Sequence, residues 1–275
     1  MDLGLKGKVV LITGGSKGLG LASARGFLQE AARVVIVSRN PANIAEARDT
    51  LAKEGHELLG EAADLGSSVA AEYVVSKVER EIGPIDVLVN SAGAAKRRPA
   101  DELDAASWKA AMDAKFFPYV YAQDAVLRRM RARAIKRGQT GAASPEQEIG
   151  AIVNIVGIGG RIPTESHIAG SSANAALLLS TIGLAQHFAH YGIRINAVNP
   201  GQILTGRIDQ AVEIDARRLG LDKAAVLERA QNATPLRRFG RPEEVADIVV
   251  FLASRRASYM VGSLVSVDGG QKVAI

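Results

Sequence analysis

The residues best suited to chemistry stand near the start of the chain. Val9 to Ile12 reads as a strand and runs into Thr13-Gly14-Gly15-Ser16-Lys17-Gly18-Leu19-Gly20, where a helical pattern begins. Glycines at 14, 18 and 20 let the backbone turn tightly and bring bare N–H groups to a helix N-terminus. There the dipole and the unpaired donors favour a pyrophosphate. A glycine triplet alone is weak evidence, but a strand before it and a helix after it point to a dinucleotide. The end of the second strand selects which one. An acid there accepts from the ribose 2′-hydroxyl of NAD, whereas a cation suits the 2′-phosphate of NADP. The run Val34-Val35-Ile36-Val37 ends in Ser38-Arg39-Asn40, with no acid. Arg39 offers a fork of donors and Lys17 a second charge. NADP(H) is therefore preferred over NAD(H).

The elements that must position these residues follow from the apolar pattern. KVVLITGG, RVVIVSR, IDVLVNSAG, GAIVNIVG, IRINAVNPG and SLVSVDGG are short β-prone runs closed by Gly, Asn or Pro. Amphipathic stretches at 20–31, 42–54, 67–82 and 108–133 lie between them. Strands alternating with helices predict a parallel sheet, and continuous apolar runs agree because parallel strands are buried on both faces. The expected fold is a single α/β Rossmann-type domain over residues 1–275. It has a doubly wound parallel sheet of about seven strands, with helices on both faces. The connection at 131–150 is longer than the pattern needs and has no assignable role.

Composition narrows the classes further. Hydrophobic residues make up 47% and charged residues 23%, as in an ordinary globular chain. No cysteine is present, which excludes disulfides, thiolate metal sites and a cysteine nucleophile. No metal site is expected. The first residues lack an apolar core of signal-peptide length, so a cytoplasmic location is expected. The uncharged stretch 168–193 is interrupted by Ser, Asn, Gln and His, and reads as a buried or subunit-interface helix rather than a membrane span. The net charge is +5. Its densest cluster, Arg128, Arg129, Arg131, Arg133, Lys136 and Arg137, has no interleaved aromatics. It reads as a solvated helix end rather than a nucleic-acid patch.

Taken in order, the motifs resemble those of the short-chain dehydrogenase/reductase family over nearly the whole chain. Thr13 to Gly20 matches its T-G-x-x-x-G-x-G turn. Asp64-Leu65 resembles the pair that contacts adenine, and Asn90-Ser91-Ala92-Gly93 resembles N-N-A-G beside the nicotinamide ribose. Pro200-Gly201, with Ile203 and Thr205, resembles the segment bordering the nicotinamide. The run Gly262 to Gly270 resembles the last strand. The resemblance implies a nicotinamide-dependent oxidoreductase and a homodimer or homotetramer, formed through the helix after Gly170 and the C-terminal strand.

The same resemblance marks a departure. Family members carry Tyr-x-x-x-Lys on one helix face, a Ser thirteen residues earlier and an Asn on a preceding helix; the Lys lowers the phenol's pKa from about 10 toward neutrality. Aligned here, those positions fall on Gly170, Asn174, Gly157 and Lys115. A literal Y-x-x-x-K at Tyr73 to Lys77 lies on a different helix, before the Asn90 strand, and reads as a half-buried Tyr with a solvated Lys. Replacement chemistry would fall to Lys115, His167, Ser171 or Asn174. Each has a plainer reading: Lys115 pointing outward, His167 in a loop, Ser171 packing at a helix start, Asn174 bonding only the cofactor ribose. Two functions stay open. One is an NADP(H)-dependent oxidoreductase of unknown small-molecule substrate, using a non-standard acid/base set on a carbonyl or alcohol. The other is a catalytically silent NADP(H)-binding sensor, scaffold or partner subunit.

Overall fold

Seven stretches of aliphatic sequence form one parallel sheet: β1 (Val9–Thr13), β2 (Arg33–Ser38), β3 (Leu59–Ala62), β4 (Val87–Asn90), β5 (Gly150–Ile155), β6 (Ile193–Pro200) and β7 (Leu264–Val267). Their order is β3-β2-β1-β4-β5-β6-β7. The computed structural model describes residues 1–93, 95–139, 141 and 147–271, without the side chains of 207, 210 and 211. β1, β4, β5 and β6 are buried at every position, as expected for strands covered on both faces. β3 is the strand that the apolar runs do not reveal. Its Leu-Gly-Glu-Ala lies at the sheet edge and is nowhere fully buried.

Helices cover both faces. α1 (Gly18–Gln29) and α9 (Pro242–Ala253) place Phe27, Val245 and Val249 against one side. α3 (Ser68–Glu81) and α5 (Phe117–Lys136) place Val74, Val78 and Met130 against the other. α2 (Pro41–Ala52) packs beside β2 and β3, and α7 (Gly206–Leu219) pairs with α8 (Lys223–Asn232). α6 (Ile168–Phe188) packs on β6. By length and composition its segment could cross a membrane, yet half of its most apolar window is buried in the molecule.

The predicted helix at 108–133 is not continuous. α4 (Ala105–Ala111) passes into a wide π-type turn over Met112–Phe116 before α5 begins. Pro118 has no N–H for the carbonyl of Ala114, so the regular ladder cannot run through this point. That carbonyl abuts Gly93 so closely that a side chain at 93 would clash with it, and Gly93 holds a φ of +86°. The break sets the direction in which Lys115 points.

Three cations of the basic cluster, all on α5, pair with acids within the fold. Arg129 bonds Glu72 at 2.5 Å and Arg133 bonds Glu79 at 2.7 Å, both acids lying on α3; Arg128 reaches Asp124 and Glu72. Within the long connection at 131–150, residues 140 and 142–146 lie outside the described residues.

Candidate active site

β1 lies between β2 and β4, so the chain leaves it in opposite directions and opens a crevice at its carboxyl end. Two cavities of about 620 and 1050 Å³ meet there and share Gly14, Arg39, Ala92 and Gly93. Ser38, Asp64 and Leu65 line the smaller; Ser16, Lys17, Gly18, Leu19, Lys115, Gly157, Pro200, Gly201, Ile203 and Thr205 line the larger.

The glycine turn has the shape a pyrophosphate needs. Gly14 and Gly18 hold φ of +65° and +54°, and a side chain at Gly20 would strike the Gly14 carbonyl. α1 begins without a side-chain cap, whereas Asn40 and Ser67 cap α2 and α3. Its first N–H groups are thus left for a ligand. At the neighbouring strand end the Ser16 hydroxyl donates to Ser38 at 3.0 Å. Arg39 is exposed there and, among the described residues, makes no hydrogen bond or ion pair. Lys17 lies 3.7 Å from Glu46, both exposed. A strand end with a free guanidinium and no acid fits a 2′-phosphate.

Three of the expected cofactor residues do not reach a cavity wall. Gly20 closes the turn from behind. Thr13 and Asn90 are wholly buried. The Thr13 hydroxyl accepts from the N–H groups of Ser91 and Ala92 and donates to Asn90 at 3.4 Å. The Asn90 amide donates to Asn154 at 2.9 Å, which donates onward to Gln123 and Thr181. This chain ties β1, β4, β5, α5 and α6 together beneath the site, so Asn90 shapes the floor rather than touching a ligand.

The candidate acid/base residues separate into two groups. Lys115 points inward, not outward: it is 7% exposed and lines the larger cavity. Its Nζ donates to the Tyr119 hydroxyl at 2.7 Å and to the Ile155 carbonyl at 3.2 Å, and Tyr119 donates to the same carbonyl at 2.5 Å. Tyr119 was not expected here. Its signal was the four-residue spacing from Lys115, which on a helix puts both side chains on one face.

His167, Ser171 and Asn174 do not line the large cavity; they pack behind the turn at 157–160. The His167 ring lies over Gly170, where a Cβ would come 2.5 Å from Nε2. Asn174 Nδ2 faces Gly157, 3.4 Å from where a Cβ would stand, and Gly157 itself holds a φ of +126°. Ser171 and Asn174 are 4% and 6% exposed, and Ser171 Oγ and Asn174 Oδ1 have no hydrogen-bond partner among the described residues. What separates them from Lys115, equally buried, is that neither lines either of the two cavities. Tyr73 and Lys77 face elsewhere: Tyr73 is 57% exposed rather than half-buried, and Lys77 is paired with Glu61 at 2.7 Å, which raises its pKa.

A doubly wound sheet with a glycine turn at its switch point and a second cavity beyond it gives the architecture of the Rossmann-type α/β class. A family model described as enoyl-(acyl carrier protein) reductase matches residues 14–272. The chain belongs to the short-chain dehydrogenase/reductase family. It is 29% identical to 2,3-dihydro-2,3-dihydroxybenzoate dehydrogenase of Bacillus subtilis, over 99% of this chain and 98% of that one. It is 30% identical to gluconate 5-dehydrogenase of Gluconobacter oxydans, over 98% and 97%. The solved structure of L-sorbose reductase from Gluconobacter frateurii, complexed with NADPH and L-sorbose, superposes with a TM-score of 0.87 at 32% identity, covering all of both chains.

Proposed function

We propose that this protein is an NADP(H)-dependent oxidoreductase interconverting a carbonyl and an alcohol, with Lys115 in the proton-transferring role that the family gives to tyrosine. The observation that carries this reading is a buried ammonium on the wall of the large cavity, braced by Tyr119 and the Ile155 carbonyl. The cofactor supplies or accepts hydride. Its phosphates would rest on the Gly14–Gly18 turn, with Arg39 and Lys17 facing the 2′-phosphate. Lys115 would deliver a proton to the oxygen that becomes an alkoxide as hydride arrives, or take one in the reverse direction. Tyr119, buried and without access to substrate, positions it. His167, Ser171 and Asn174 pack behind the 157–160 turn and would support it.

NADP is favoured over NAD by Arg39 and by the absence of an acid after β2. NADPH is also the cofactor named with the L-sorbose reductase structure. Among relatives, the substrates named range from sugar acids to a cyclic dihydrodiol acid, so the likeness leaves this chain's substrate open. A homodimer or homotetramer formed through α6 and β7 completes the proposal, supported by Leu179, which is 73% exposed on α6.

The test is purified protein with NADPH and a broad panel of ketones and aldehydes, followed by nicotinamide absorbance, beside calorimetric titration of NADPH and NADH. Turnover with tighter NADPH binding is expected. Tight binding with silence across the panel selects the second reading, a silent cofactor-binding protein. That reading is favoured by the Lys115 ammonium already being engaged within the fold and by the glycines at 157 and 170.

A further inference from the structure

One charge on the wall of the large cavity has no part in the chemistry above. Arg97 follows β4 and lines that cavity together with Lys115. Among the described residues its only hydrogen bond is from Nη1 to the Ser166 hydroxyl at 3.2 Å, and it forms no ion pair. Two acids share the wall, Glu165 and Asp215. Glu165 is held by Arg218 at 2.7 Å, and Asp215 lies 3.7 Å from the same guanidinium. Arg97 is itself exposed; desolvation by the wall beside it lowers its pKa more than the attraction of Asp215 raises it, yet a guanidinium stays charged in a protein. Val212, Val226 and Phe239 give the same cavity an apolar lining. In the reading proposed above the cofactor's phosphates fall to Arg39, Lys17 and the glycine turn, which assigns none of them to Arg97.

We propose that Arg97 anchors a carboxylate of the substrate, so that the cavity takes an oxo acid or hydroxy acid rather than a neutral alcohol or sugar. The inference builds on the oxidoreductase reading for the reacting carbon alone; the anchor itself is a binding claim. A guanidinium fork matches a carboxylate with two parallel N–H···O bonds. Arg97 is exposed and its one hydrogen bond goes to a neutral hydroxyl, so the rest of its fork is open to a carboxylate that arrives with the ligand.

The experiment pairs acids with their neutral counterparts. Acetoacetate, levulinate and 4-oxocyclohexanecarboxylate, each beside its primary amide, are titrated calorimetrically into protein saturated with oxidised cofactor. The corresponding hydroxy compounds are titrated into protein saturated with NADPH, so that no reaction intervenes. Acids are expected to bind about tenfold to a hundredfold more tightly than amides. Arg97→Ala erases the difference, Arg97→Lys keeps part of it, and NADPH affinity is the same in all three proteins. Turnover is then assayed on the same pairs. Arg97-dependent acid binding without hydride transfer supports the anchor and overturns the oxidoreductase reading. Turnover of amides as fast as acids, an acid preference that survives Arg97→Ala, or failure of every acid to bind overturns the anchor.

Discussion

Taking an ammonium out of water costs several kilocalories per mole unless it finds strong partners, and Lys115 finds a phenol and a carbonyl at 2.7 and 3.2 Å. If its proton is the one transferred, Lys115→Met lowers kcat on the order of 10²–10⁴-fold while calorimetric NADPH affinity holds. A loss of cofactor binding would assign Lys115 to the fold instead. Arg39→Ala tests the other end of the site: NADPH affinity falls about tenfold to a hundredfold, NADH affinity is unchanged, and calorimetry reads both. These two residues differ in how visible they are in sequence. Arg39 is legible because it follows a strand end whose geometry is fixed by the motif before it. The direction of Lys115 is not, since a helical pattern at 108–133 conceals the π-type turn that rotates it inward. Arg97 was equally hidden, because a basic run after a strand looks the same whether it faces water or a cavity wall.

At the level of elements, the alternation of strands and helices was readable from apolar runs because burial on both faces demands them. β3 escaped, since an edge strand has no such demand. The π-type turn of Met112–Phe116 depends on Gly93 as much as on Pro118, because the Ala114 carbonyl fills the space a side chain at 93 would need. Gly93→Ala should therefore displace the turn and with it Lys115. The expected result is reduced turnover at saturating NADPH, with the far-ultraviolet circular dichroism spectrum intact. The start of α9 shows a different kind of control. Glu244 accepts from Arg238 at 2.6 and 2.9 Å and from the Arg241 N–H at 2.7 Å. These bonds, Arg238 foremost, bring its pKa from 4.5 down to about 2. A depressed folded-state value means the stabilisation is complete above pH 4.5 and is lost as pH falls through about 2. Acid unfolding of Glu244→Gln, followed by circular dichroism, should show a flatter limb in that window.

Across the molecule, β6 is joined to the end of α9 by one buried cation. Arg194 donates to Glu148 at 2.9 Å and to the carbonyls of Leu252, Ser254 and Ala257. Arg194→Leu leaves Glu148 without its partner and removes a donor from those carbonyls, of which Ser254 and Ala257 keep a backbone N–H. It should cost about 3–5 kcal/mol, read as a lower urea midpoint. Self-association through α6 predicts that Leu179→Glu yields a smaller species in sedimentation velocity. The packing of His167 over Gly170 also limits what either position can carry. Tyrosine placed at 170 would drive its Cβ into the imidazole, and serine at 157 would have to adopt a backbone angle that only glycine tolerates well. Gly170→Tyr alone should thus lower the melting temperature, and pairing it with His167→Ala should recover part of the loss. Neither position accepts a side chain without a shift nearby, of the imidazole at 170 and of the backbone itself at 157.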